Sequence, residues 1–179
     1  AASGDAWEAF SSTVRTLDLV VTDNYPTENA CIAMGVLPKR ILRIPWGPAP
    51  YLGGPTGGRE DFGLPEARSL ILYPRSLEPH YQPDVFVEAL GIVARAHPAA
   101  LAVLVETGSL VDKVRAQVAR LGLKDSLSWQ PPRSAKQFRG LLALADVLVV
   151  SPKTDGTSVT VMDAMSMGVP VVSSLTSGS

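Results

Sequence analysis

The sequence predicts an α/β fold built on a doubly wound parallel sheet, and three observations predict it. Short runs such as ADVLVVS at 145–151 are almost wholly apolar and rich in valine, which is typical of strands buried on both faces. These runs alternate with longer stretches of helical period. Glycine and proline concentrate at 45–65 and separate two such patterns. Alternating strands and helices give parallel strands joined by right-handed crossovers.

Before the Gly/Pro-rich stretch the chain has three predicted elements. TLDLVVTDNY indicates a strand near 17–22, ENACIAMGV a helix near 27–35, and RILRIP a strand near 41–44. Cys31 is expected on the inner face of this helix. Because it is the single cysteine, an internal disulfide is excluded and a buried structural thiol is favoured. Three elements are too few for a complete domain.

After that stretch, strand and helix patterns alternate regularly. The apolar runs predict strands near 69–73, 101–106, 127–129, 147–150 and 169–173. The amphipathic stretches predict helices near 83–96, 109–121, 134–144 and 158–167. His97, before Pro98, marks the end of the first of these helices, and Gly108 is expected to start the second.

We therefore interpret residues 1–47 as the end of an N-terminal domain, 48–68 as an interdomain linker without regular structure, and 69–179 as a Rossmann-like domain. The chain is expected to be truncated at both ends, since most of the first domain is missing and the second stops just after a strand. An exposed apolar flank of the sheet is then expected to cause self-association.

Composition excludes several classes of protein. With 46% hydrophobic and 18% charged residues, the 179-residue chain is neither disordered nor membrane-spanning. Its N-terminus lacks the basic region and apolar core of a signal peptide, which favours a cytoplasmic location. A net charge of −1 gives no bulk attraction to nucleic acid. The two histidines, His80 and His97, show no ligand spacing with the cysteine, so a protein-held zinc is not expected.

The stretch SPKTDGTSVTVMDAMSMGVPVV at 151–172 carries the clearest chemistry. Asp155-Gly156 is a turn pair, and Thr157 or Ser158 can cap the helix that follows. A strand, a polar loop, a helix and a parallel strand place the loop at the carboxyl edge of the sheet. That edge is where open α/β sheets bind ligands.

Two features of this loop and helix suit a nucleoside diphosphate. Backbone N–H groups at 156–159, at the positive end of the helix dipole, favour a phosphate. Asp163 can accept two hydrogen bonds from a vicinal diol such as that of ribose. The alternatives are that Asp155 only forms a turn and that Asp163 is a solvated helix residue.

The same stretch resembles the donor-site signature of glycosyltransferase family 4, the glycosyl transferases group 1, which are retaining enzymes with two Rossmann-like domains (the B-type fold). The family pattern has two glutamates separated by seven residues, then Ala-Met or Ala-Leu, a glycine and Pro-Val-Val. Asp155 and Asp163 stand at the two Glu positions, each one methylene shorter, followed by Ala164-Met165 and Gly168–Val172.

Other segments match in the family's order. They are TLDLVVTDNY, GVLPKRILRIPWGPAP, ILYPRSLEPHYQPDVFVEAL and SWQPPRSAKQFRGLLALADVLVVSP. In the family, the third of these carries an Arg, and a few residues later a Lys, that grip the donor diphosphate. Arg75 occupies the Arg position, whereas the Lys position falls at His80 or Tyr81. The resemblance there implies no more than a hydrogen bond from Tyr81.

The resemblance implies a glycosyltransferase of polysaccharide biosynthesis that moves a sugar from a nucleotide-diphosphate sugar to a glycan, lipid-linked or small-molecule acceptor, with retention. It implies no metal ion or other cofactor, and it is compatible with a peripheral membrane contact. Asp155 and Arg75 are the implied catalytic residues. Donor binding is assigned to Arg75, Tyr81, Gln130, Gly156, Thr157, Ser158, Val159 and Asp163. The chain on its own is expected to be inactive, because the acceptor domain is largely absent.

Alternatives of a different class stay open. A nucleotide-sugar-binding or degenerate module without transfer activity is supported by the missing Lys and the shortened second carboxylate. A sugar-nucleotide epimerase of similar architecture is less favoured, because its catalytic acids would lie at other positions. Arg75 could also be a surface salt-bridge partner. Gly108 and Ser109 are helix-starting residues first and phosphate neighbours second, and Arg133 and Lys136 are expected to be exposed.

Overall fold

The structure is a computed structural model that describes residues 2–48, 57–66 and 68–176. The chain divides into two compact units. Of the described residues, the first unit contains 2–47 together with 155–158, and the second contains 48, 57–66, 68–154 and 159–176. The predicted linker falls partly on residues 49–56 and 67, which lie outside the described residues.

The first unit has two helices and a pair of parallel strands. They are α1 (Ala2–Thr16), β1 (Val20–Thr22), α2 (Tyr25–Ala33) and β2 (Ile41–Arg43). Asn24 begins α2 because its side chain accepts a hydrogen bond from the Thr27 N–H, as N-cap residues do. Cys31 is buried with Val14, as predicted. Burial raises the pKa of the Cys31 thiol, which is typical of an inert structural cysteine.

The second unit is a five-stranded parallel sheet in the order β5-β4-β3-β6-β7. Its strands are β3 (Ser69–Tyr73), β4 (Ala100–Val105), β5 (Leu127–Gln130), β6 (Val147–Val150) and β7 (Val171–Ser173). From β3 the chain moves to one side through β4 and β5, and then returns to the other side of β3 with β6 and β7. This reversal confirms the predicted doubly wound α/β fold.

Four helices cover the two faces of this sheet. They are α3 (Pro83–Ala96), α4 (Val111–Arg120), α5 (Ala135–Ala143) and α6 (Val159–Ser166). Successive side chains of a strand point to opposite faces. Tyr73 and Leu104 accordingly pack with α3 and α4, whereas Leu72 and Val103 pack with α5 and α6. Two separate cores result, and both faces of the central strands are buried.

Two local predictions were wrong. Residues Arg59–Phe62 form a 3-10 turn, although the linker was expected to be irregular, because Phe62 and Leu64 are apolar enough to join the core on the α5 face. The helix expected to start at Gly108 starts at Val111 instead.

Gly108 serves a close approach between two loops rather than a helix start. Its φ is +115°, in the left-handed region that favours glycine. A Cβ at this position would lie 2.6 Å from the backbone N and O of Leu77. Leu77 uses both of those atoms, since its N–H donates to Thr107 O at 2.7 Å and its carbonyl accepts from Leu110 N–H at 2.8 Å. The loops after β3 and β4 are therefore joined through backbone atoms.

We predict that Gly108→Ala lowers the free energy of unfolding by more than about 2 kcal/mol, because the new methyl group meets backbone that cannot yield and because φ is positive. Gly122→Ala is the matched control. Gly122 also has a positive φ, but a Cβ there meets nothing within 4 Å. Urea unfolding of both variants measures the difference, and equal losses would contradict the clash.

Candidate functional site

The order of the strands defines where a ligand is expected. The sheet reverses direction between β3 and β6, and open α/β sheets bind ligands at the carboxyl end of the strands on either side of such a reversal. The loops that leave those two strands are residues 74–82 and 151–158. The candidate residues Arg75 and Tyr81 lie on the first loop, and Asp155, Gly156, Thr157 and Ser158 lie on the second.

Hydrogen bonds hold the first loop against the end of β6. The buried Tyr73 hydroxyl donates to Tyr81 O at 2.7 Å, and Ser151 Oγ donates to Tyr81 O at 3.0 Å and to Gln82 O at 3.2 Å. The Lys153 N–H donates to His80 O at 2.8 Å. Gln82, at φ +52°, ends the loop and directly precedes α3. We call this set of bonds the loop clasp.

The side chains of this loop form a stack. Tyr81 packs on His80 with ring centroids 3.8 Å apart, and the Arg75 guanidinium carbon lies 4.9 Å from the centroid of the Tyr81 ring. Arg75 is half-buried. Cation–π contact orients a guanidinium, and the guanidinium of an arginine is a permanently charged group.

Asp163 and Val159 lie on α6. The helix begins at Val159, and Asp163 is four residues further on, so both residues share one face. The Asp163 side chain is only 13% exposed, and its Oδ1 lies 4.0 Å from Arg139 Nη2 on α5. The carboxylate oxygens of an aspartate in this position can accept hydrogen bonds.

Residues 155–158 group with the first unit, where Asp23 contacts them. The Thr157 N–H donates to Asp23 Oδ2 at 3.2 Å. Burial acts to raise the pKa of the Asp23 carboxyl, but hydrogen bonds from the Thr157 side chain and backbone and from Asn24 outweigh it and leave the pKa below its ordinary value. The sequence predicted that the Thr157 N–H binds the nucleotide sugar. Such a contact requires this N–H to exchange its hydrogen bond to Asp23 for one to the nucleotide sugar.

Gln130 has structural contacts that the sequence did not predict. It is 4% exposed, and its amide donates to Phe62 O at 2.9 Å and to Ser128 Oγ at 3.2 Å. Its side-chain oxygen accepts from Arg133 Nη2 at 2.8 Å, and its carbonyl accepts from the Glu106 N–H. Gln130 lies on β5, which β4 separates from β3, so it does not join Arg75 and Tyr81. Arg133, expected to be exposed, is half-buried and lies over the Phe62 ring.

Ser109, whose alternative role was that of a phosphate neighbour, binds the Glu78 carboxylate instead. One carboxylate oxygen accepts from the Ser109 N–H at 2.8 Å, and the other accepts from the Ser109 hydroxyl. These hydrogen bonds lower the pKa of Glu78. The Glu78 carboxylate therefore already accepts the hydrogen bonds that Ser109 can donate. No signal in the sequence indicated the pairing, because 31 positions separate the two residues.

Within residues 2–48, 57–66 and 68–176, no group of three or more His, Cys, Asp or Glu side chains is arranged to hold a metal ion. The same residues contain no helix with the length and hydropathy needed to cross a membrane.

Comparison with known proteins adds a family and a fold. The family model "Glycosyl transferases group 1" matches residues 58–179. D-inositol 3-phosphate glycosyltransferase of Segniliparus rotundus is 23% identical over 191 residues, covering 99% of this chain and 42% of the relative. The chain thus spans less than half the length of this relative.

Solved structures share the fold. Anabaena HepE, in complex with UDP and glucose, superposes with a TM-score of 0.78 at 18% identity, over 96% of this chain and 49% of that protein. The pneumococcal O-GlcNAc transferase GtfA, in complex with UDP and GlcNAc, gives a TM-score of 0.70 at 18% identity, over 91% of this chain and 31% of that protein.

The burial of Tyr73 makes the stability of the second unit depend on pH. Burial raises the pKa of Tyr73 from 10.0 to about 12. The folded state therefore holds this proton more tightly than the unfolded state, and the resulting stability is present below pH 10 and is lost as the pH rises toward 12.

We predict a decline in the free energy of unfolding over this range that Tyr73→Phe removes, together with a loss of about 1 kcal/mol at neutral pH from the missing hydrogen bond. The control is Tyr25→Phe, at an exposed tyrosine of the first unit. Denaturant unfolding at a series of pH values measures both effects. A Tyr73→Phe variant that declines as steeply as the parent would refute the assignment.

Proposed function

Because this chain belongs to the glycosyl transferases group 1 family, we propose that it is the donor-binding half of a retaining glycosyltransferase that uses a nucleotide-diphosphate sugar. The observation that carries the proposal is the position of Arg75. A permanently charged, planar donor group stands at the carboxyl edge of the sheet beside the reversal of strand order, on a loop held by the clasp.

Residues of the second unit bind different parts of the nucleotide-sugar donor. Arg75 offers two parallel N–H groups to the diphosphate, and Tyr81, stacked beside it, offers its hydroxyl. Asp163, on the same helix face as Val159, accepts hydrogen bonds from the ribose hydroxyls. Base recognition falls to main-chain groups at 131–133, because the side chain and carbonyl of Gln130 are already engaged within the chain.

In this proposal, residues of the turn at 155–158 make the remaining contacts with the nucleotide sugar. In this proposal the N–H groups of Gly156, Ser158 and Val159 stabilise developing negative charge at the start of α6, and the Thr157 N–H does so after it releases Asp23 Oδ2. Asp155 accepts hydrogen bonds from the transferred sugar and stabilises positive charge near its anomeric carbon. Because each carboxylate is one methylene shorter than in the family pattern, Asp155 and Asp163 reach less far than glutamates.

In the proposed reaction, the bond between the anomeric carbon and the diphosphate oxygen breaks, and the electron pair stays on the diphosphate. Arg75 and the backbone dipoles stabilise that leaving group. The acceptor hydroxyl oxygen bonds to the anomeric carbon on the face that the diphosphate leaves, and its proton passes to the leaving oxygen. No metal ion enters the proposal. The acceptor is a glycan, a lipid-linked sugar or a small polyol, and the reaction is placed in the cytoplasm.

Titration calorimetry with UDP, GDP and ADP tests donor binding by this chain. One of the three is expected to bind, and Arg75→Ala and Asp163→Asn are each expected to weaken it about tenfold or more, because each removes a charged hydrogen-bonding partner. Asp112→Asn, at an exposed acid on α4, is the control and is expected to bind as the parent does.

Absence of binding by the folded parent to all three nucleotides would overturn the proposal. Retention is a separate outcome. The anomeric proton coupling of the product made by a longer chain that includes the acceptor domain is expected to match that of the donor, and the opposite anomer would exclude the retaining reaction.

A further inference from the structure

The proposed diphosphate ligand carries more charge than one guanidinium neutralises. Two phosphate groups bear at least two negative charges at neutral pH, whereas Arg75 supplies one positive charge. An anion left half-neutralised beside a partly buried loop is unfavourable, because desolvation penalises unpaired charge. If the chain binds a nucleotide-diphosphate sugar, as the proposed function requires, a second side chain must supply the remaining positive charge.

The loops at the carboxyl edge of the sheet offer few candidates. Residues 74–82, 106–110, 131–134 and 151–154 follow the carboxyl ends of β3 to β6 within the second unit. Besides Arg75, their basic residues are His80, Arg133 and Lys153. His80 is not a permanent cation. Arg133 follows β5, away from the reversal, and is committed to Gln130 and to the Phe62 ring.

Lys153 differs from these residues in its position in the sheet and in the contacts of its side chain. It follows β6, the strand next to β3, and its own N–H donates to His80 O at 2.8 Å. This hydrogen bond fixes the Lys153 backbone against the loop that carries Arg75 and Tyr81. The side chain is exposed, and no carboxylate of the described residues forms an ion pair with its ammonium group.

We propose that Lys153 is the second cation of the diphosphate site, reaching the phosphates from the β6 side while Arg75 reaches them from the β3 side. A lysine suits this role, because its ammonium group is a compact charge on a long flexible stem and can approach phosphate from several directions. The clasp joins the loops that carry the two cations, at the carboxyl ends of the adjacent strands β3 and β6, so in this proposal they contact one diphosphate together. The position is thus specified by a backbone hydrogen bond and not by spacing along the chain.

Calorimetry with the nucleoside diphosphate that the parent binds, and with the corresponding uncharged nucleoside, tests this role. Lys153→Ala is expected to weaken diphosphate binding about tenfold and to leave nucleoside binding within about twofold of the parent. Lys153→Arg is expected to restore most of the affinity. Lys124→Ala, at an exposed lysine just before β5 on the amino edge, is the matched control and is expected to have no effect.

A salt series gives a second readout, because a lost phosphate contact makes diphosphate binding less dependent on ionic strength. Lys153→Ala is expected to bind with a shallower salt dependence than the parent. If Lys153→Ala binds as the parent does while Arg75→Ala does not, the assignment of Lys153 is wrong and the proposed function stands. If the folded parent binds no nucleoside diphosphate, both are overturned.

Discussion

The loop clasp is the interaction on which the candidate site depends. Tyr81 O receives hydrogen bonds from the buried Tyr73 hydroxyl and from Ser151, and Lys153 N–H binds the neighbouring carbonyl of His80. Each bond links the loop after β3 either to its own strand or to the loop after β6. Because burial keeps Tyr73 neutral, its hydroxyl remains a hydrogen-bond donor throughout the ordinary pH range. Hydrogen bonds therefore hold the loops on the two sides of the strand reversal against each other.

The loop clasp also orients the charged side chain of Arg75. Arg75 stacks on Tyr81, whose backbone the clasp holds, so the direction of the guanidinium depends on the same hydrogen bonds. Glu78, three residues along, accepts hydrogen bonds from the Ser109 amide and hydroxyl on the β4 side. The loop thus holds the Glu78 carboxylate in an internal contact and the Arg75 guanidinium against the Tyr81 ring. Preorganised charge of this kind suits a leaving diphosphate.

The sequence predicted the fold well because its signals were local. Strands such as β3 and β6 and the helix α3 were predicted with the bounds that the structure has, since apolar runs and the Gln82-Pro83 and His97-Pro98 boundaries mark them. The helix after β4 starts at Val111 and not near Gly108, because Gly108 is needed where two backbones meet. That contact joins segments distant in sequence, which no period or cap can reveal. The Gln130 contacts with Phe62 were missed for the same reason.

Chemical-shift mapping of the backbone amides with a saturating nucleoside diphosphate tests the central claim most directly. The account predicts that the largest shifts fall in residues 74–82 and 151–159, on both sides of the strand reversal. Shifts concentrated instead in the groove at the amino edge, lined by Ser69, Val93, His97 and Ala100, would contradict it. A spectrum unchanged at saturation would likewise show that the clasped loops do not receive a diphosphate.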